Sequence, residues 1–287
     1  MVGDDFRKTL NEIAALWFFF GVVFLGFSLL AFFLGRGAES AEFSKVLFLY
    51  FGIGLSGGII LTVAKVYEYY NPGSWFQSSF HDPDEGVQVI TRYRLFRNPV
   101  LLFFFFFSFF FLIGLLVFAT KQTAFADIPQ FQFQQISRSA EIILNVEPAA
   151  TSETFMIGVF VSFLLGGVRR IVIGRFGMPR WVSLFVSFLL VVPVIGLLWL
   201  GYHNFVYGND EVASLYTLIF GLGGGLLSVV FGSLLPWLAW HEVNNLIVAS
   251  MKFLSGNESI ILFGSLAFVS VVFIGLSVFI FKGEELF

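Results

Sequence analysis

The stretch WLAWHEVNNLIVASM, Trp237 to Met251, decides how this chain is read. Its flanks are those of a membrane helix, yet His241, Glu242, Asn244 and Asn245 stand together around one valine. An ionisable side chain at the bilayer centre costs on the order of 2.5 to 3.5 kcal/mol on insertion scales, so such groups usually face a bundle interior and mark function. At about 100° per residue, Asn245 projects about 40° to one side of His241 and Asn244 about 60° to the other, so the three share a face with Glu242 at its edge. Asparagines in membrane bundles also act as interhelical glue, each bond contributing about 0.6 kcal/mol. For the two amides both readings stay open.

The surrounding sequence points to an integral membrane protein. It is 57% hydrophobic, 20% aromatic and only 12% charged, with 42 phenylalanines, and its mean hydropathy is +0.88. These values lie far outside the soluble globular range. A net charge of -3 without a basic patch argues against nucleic acid as a partner. With no cysteine there is no disulfide framework and no thiolate chemistry, so carboxylates, histidines, hydroxyls and amides must carry any reaction.

A membrane helix needs about 20 apolar residues, and eight runs fit: Leu16 to Leu34, Val46 to Ala64, Val100 to Ala119, Ala149 to Val168, Trp181 to Tyr202, Val212 to Phe231, Leu234 to Phe253 and Ile260 to Phe281. The first has no small-residue cleavage site behind it and is expected to be retained. The expected fold is all-α: a polytopic transmembrane bundle of about eight spans, forming one domain over residues 1–287. The connections Lys65 to Pro99 and Lys121 to Pro148 are the long ones. Lysines and arginines divide eleven to five between the two sides, which predicts a multi-pass protein with both termini cytoplasmic.

Two further residues belong with the polar face. Glu153 stands near the start of the fourth run and His203 just after the fifth. Consecutive spans run antiparallel, so these two share a membrane half, and His241, roughly 10 Å into the seventh run, reaches toward it. A carboxylate and a histidine around a water make a general base, while a second histidine and an amide can donate to a developing oxyanion. That is a plan for peptide hydrolysis inside the membrane. Glu153, His203 and His241 could equally hold a divalent metal such as zinc, although the sequence requires none. Ser152, next to Glu153, has no neighbouring His or Lys to activate it as a nucleophile, and His81, in HDPDEG, reads as part of a solvated turn rather than a cation site.

These residues carry a resemblance. FGLGGGLLSVVFGSLLPWLAWHEVNNLIV, Phe220 to Val248, resembles the last motif of the CPBP intramembrane proteases, the CAAX-processing and bacteriocin-processing group. In that motif a glycine-rich helix leads through a Gly-Ser turn to a His-x-x-x-Asn helix. LLWLGYHNFVYG, Leu197 to Gly208, is similar to the second motif, and VEPAATSETFMIGVF, Val146 to Phe160, to the first, a Glu-Glu pair followed by Arg. The resemblant core is about 146–252. It implies an intramembrane endopeptidase acting on a membrane-anchored or lipidated peptide in the lipid bilayer. Glu153 and His203 would activate water, and His241 and Asn245 would support the oxyanion. The chain departs from the motif at Ser152, which replaces the first glutamate, at Ile157, which replaces the arginine, and at Trp199, where the family often has Phe. Accordingly Glu153 serves both roles, or Glu242 or Glu147 enters the site, or the chain is a non-hydrolytic relative that binds a membrane peptide or partner. A transporter would need matching polar interruptions in both halves, and the first three runs carry almost none.

Overall fold

The helix that carries Glu153 begins well before its apolar run. In the computed structural model, which describes residues 2–35, 41–71, 80–120, 137–207 and 211–282, this helix is α7, Arg138–Arg169. Ser137 caps it by accepting from Ala140 N at 3.2 Å. Glu141 favours the positive end of the helix dipole from the first turn. Glu141, Asn145 and Glu147 are all buried, so the residues that looked like a connection are helical core. Pro148 lies inside the helix; it lacks an N–H and so leaves one backbone carbonyl unpaired. The correction places Glu153 in the middle of a 32-residue helix rather than near its start. Of the expected Lys121 to Pro148 connection, residues 121–136 lie outside the described residues.

The other expected runs are extended in the same way by polar ends. α1 (Val2–Phe18) passes through a π-helical turn at Phe19–Phe24 into α2 (Leu25–Leu34). α3 is Ala41–Tyr70. Two short helices, α4 (Gln88–Thr91) and α5 (Arg94–Arg97), precede α6 (Pro99–Thr120). Asn98 caps α6, accepting from Val100 N and Leu101 N at 3.0 Å. α8 is Arg180–Tyr207, α9 Glu211–Phe231, α10 Leu235–Phe253 and α11 Gly256–Lys282. Seven helical stretches are long and apolar enough to cross a membrane, and no strand occurs among the described residues. The chain is a multi-pass helical membrane bundle. α10, which holds the seventh run, is not one of those seven stretches, because His241, Glu242, Asn244 and Asn245 lower its hydropathy.

Two close approaches position the site. α3 meets α7 nearly backbone to backbone: a Cβ on Gly57 would lie 2.9 Å from the Phe155 carbonyl carbon, the use membrane helices make of small residues. At the α9–α10 hinge, Gly232 adopts φ +58°, and the chain around Phe80 docks on it. Asp82 N donates to the Gly232 carbonyl at 2.7 Å, and Leu234 N donates to the Phe80 carbonyl at 2.9 Å. His81 is buried, with Ser233 Oγ 3.1 Å from Nδ1 and the Arg97 carbonyl 3.0 Å from Nε2. It is therefore an anchor and not part of a solvated turn.

Ion pairs tie this connection to its neighbours. Lys8 lies 3.0 Å from Asp82 and 3.2 Å from Asp84, Lys65 lies 2.9 Å from Glu12, and Arg169 pairs with Glu85. The N-terminal helix, the Phe80–Asn98 connection and the end of α7 thus lie at one end of the bundle.

Candidate active site

Glycines on α9 determine where the aromatic rings of the site sit. A side chain at Gly221 would meet Trp199, one at Gly223 would meet Trp240, and one at Gly224 would meet Trp237. The FGLGGG run is therefore a groove for indoles from α8 and α10. Trp199 is the hub, with its ring 4.4 Å from His203, 5.2 Å from Trp237 and 5.2 Å from His241. Phe220 completes a triangle of rings, 5.4 Å from His241 and 5.7 Å from Trp199.

Into this apolar wall α7 inserts Glu153. Its Oε2 lies 3.4 Å from His241 Nε2 and 4.0 Å from His203 Nε2. Its Oε1 accepts from the Tyr202 hydroxyl at 3.0 Å. His203 Nδ1 donates to the Trp199 carbonyl one turn back at 3.0 Å, and Thr154 Oγ1 lies 3.4 Å from His241 Nδ1. Glu153 is 7% exposed and His241 3%, while the His203 side chain, at 14%, is the most open of the three.

Glu153, His203 and His241 are thus brought together, and Asn245 is placed apart from them. Asn245 donates to the Asn145 carbonyl at 3.0 Å, about 12 Å before Glu153 along α7 at ~1.5 Å per residue. Asn244 turns the other way. It accepts from Tyr216 and lines an apolar groove of about 240 Å³ between α6, α9 and α10. The polar face of α10 therefore divides between α7 and α9.

Neither rival carboxylate enters the cluster. Glu242 and Glu147 are hydrogen-bonded to each other, and Thr151 donates to Glu147 at 2.7 Å. Ser152 is fully buried, donates to the Ala149 carbonyl at 3.0 Å and faces Gly54 of α3, so it has no role as a nucleophile. Among the described residues no group of three or more His, Asp or Glu is arranged to hold a metal ion.

Tyr202 and Thr154 were not singled out in the sequence. Tyr202 ends an apolar run and Thr154 sits in a polar row, so neither stands out until the helices are packed. Comparison with known proteins finds no matching family model, no matching curated protein and no matching solved structure.

Proposed function

We propose that the chain is an intramembrane peptidase of the CPBP type that hydrolyses a peptide bond in a membrane-anchored substrate. The observation that carries this reading is the position of Glu153 Oε2, 3.4 Å from one imidazole and 4.0 Å from the other. A water donating bonds of about 2.8 Å to two acceptors spans roughly 4.4 Å between them, close to the Glu153–His203 separation. Such a water is held by a general base and its orienting partner.

In the proposed reaction Glu153 takes a proton from this water, and the oxygen adds to the scissile carbonyl carbon. The carbonyl oxygen becomes an oxyanion beside the His241 ring. When the C–N bond breaks, Glu153 returns the proton to the leaving amine. Asn245, bonded to Asn145, holds α10 against α7 instead of reaching the oxyanion. The replacement of a glutamate by Ser152 takes no carboxylate from the cluster, because Ser152 faces α3. This supports Glu153 as the sole base.

The test is cleavage of a panel of membrane-anchored peptides by wild type and Glu153→Gln protein. The amide keeps shape and the Tyr202 bond but accepts no proton, so turnover should vanish while substrate binding persists. Wild-type protein that binds a peptide without cleaving it would instead identify a non-hydrolytic relative. We further propose that both termini are cytoplasmic; a reporter fused after Phe287 should be cytoplasmic, and one placed at residues 121–136 should not.

A further inference from the structure

The two histidines face one carboxylate oxygen, yet their other ring nitrogens have different partners. His203 Nδ1 lies 3.0 Å from the Trp199 carbonyl oxygen, which can only accept. The proton of neutral His203 is therefore on Nδ1, and Nε2, on the Glu153 side, carries a lone pair. For His241 the arrangement is reversed. Its Nε2 lies 3.4 Å from a carboxylate oxygen, which also only accepts, while its Nδ1 lies 3.4 Å from the Thr154 hydroxyl, which can donate. The proton of neutral His241 is therefore on Nε2, with Thr154 donating to Nδ1. In a buried site the partner of the far nitrogen decides what the near nitrogen offers.

We propose that Thr154 is a positioning residue that holds His241 as the Nε2–H tautomer, opposite to the Nδ1–H tautomer that the Trp199 carbonyl imposes on His203, and that this difference is what fits the two rings to the water and oxyanion roles that the CPBP resemblance implies. The division of labour is set by groups that never touch the substrate: a backbone carbonyl of α8 and a hydroxyl of α7. Its catalytic meaning rests on the peptidase reading, whereas the tautomers themselves are observable without turnover.

The chain has three histidines, so protein labelled with ¹⁵N-histidine in detergent micelles gives a spectrum simple enough to assign with His81→Gln and His203→Gln variants. His81 is an internal reference, since its Nε2 faces the Arg97 carbonyl. Near neutral pH the expected result is a protonated Nδ1 for His203 and a protonated Nε2 for His241. Thr154→Val should move the bare Nδ1 resonance of His241 downfield, as when a ring nitrogen loses its donor, and leave the His81 and His203 signals in place. Thr154→Ser should restore it. With a cleaved peptide, Thr154→Val should lower kcat by about tenfold or more at unchanged KM, with Thr154→Ser close to wild type.

The same tautomer on both histidines, or an imidazolium at either, would overturn the proposal. So would a His241 resonance indifferent to Thr154→Val while the other two signals report an intact fold. Wild-type protein that shows opposite tautomers but cleaves no peptide would remove the peptidase reading and leave the tautomer assignment standing.

Discussion

The Tyr202 hydroxyl donates to one oxygen of Glu153 at 3.0 Å, while the other oxygen of the same carboxylate faces His241 at 3.4 Å. The two oxygens are therefore distinct, one tethered by the tyrosine and the other facing the histidines. A hydrogen bond to a charged group contributes about 1.5 to 3 kcal/mol, and each ~1.4 kcal/mol is about tenfold in rate. Tyr202→Phe, which removes only the hydroxyl, should lower kcat by roughly tenfold or more and leave KM close to wild type. Steady-state kinetics on one cleaved peptide measure both. An effect confined to KM would mean that Tyr202 binds substrate and does not orient the base.

Glu242, beside His241 in sequence, is the rival that kinetics can dismiss. Its hydrogen bond to Glu147 requires a proton on one of the two, since ionised carboxylates only accept. Glu242→Gln supplies an N–H for the same contact and should leave turnover within about twofold. Glu242→Ala leaves Glu147 buried with a lost partner, at a cost of about 1 to 3 kcal/mol. A lower melting temperature should therefore separate the alanine variant from the glutamine variant. A glutamine variant as inactive as Glu153→Gln would place Glu242 in the chemistry.

The apolar runs, and with them Glu153, His203 and His241, were legible in the sequence because hydropathy and expensive polar residues are local signals. The start of α7 was not, since Glu141, Asn145 and Glu147 mimic a loop. Their burial depends on partners far along the chain, such as Glu242 and Asn245. Tyr202 and Thr154 stayed hidden for the same reason: a tyrosine or threonine in a helix becomes a site residue only through what packs against it. Asn245 shows a related limit of spacing arguments. Helical spacing placed it on the His241 face, but spacing does not say that the Asn145 carbonyl lies opposite it.

The same geometry reverses an expectation that follows from motif matching alone. Restoring the missing motif residues with Ser152→Glu and Ile157→Arg would seem to rebuild a catalytic centre. Yet Ser152 is fully buried against the glycine face of α3, and Ile157 is 8% exposed. A carboxylate there must enter a backbone-to-backbone contact, and the guanidinium beside it must be desolvated, each at several kcal/mol unless the two pair well. The double variant should accumulate poorly in membranes and gain no activity. A stable, more active double variant would show that α7 turns about its axis to present Ser152 to the histidines.

The hinge between α9 and α10 should respond to acid through His81. Burial pushes the His81 ring below its ordinary value of 6.5, with the nearby Arg97 charge acting the same way, against the opposing pull of the Arg97 carbonyl and Asp82. A histidine whose folded value is depressed contributes stability that is fully present above the unfolded value and lost as pH falls from there toward the folded one. Burial is what sets the direction, since the charged ring loses more from leaving water than it recovers from the Arg97 carbonyl 3.0 Å from Nε2. Thermal unfolding of wild type and His81→Gln between about pH 7.5 and 5 tests this. At the upper end the variant should be the less stable, and the gap should narrow as pH falls below the ordinary histidine value, because only the wild type has a neutral imidazole to lose. A gap that stays constant across the range would mean that His81 keeps its charge state throughout and anchors the hinge by shape alone.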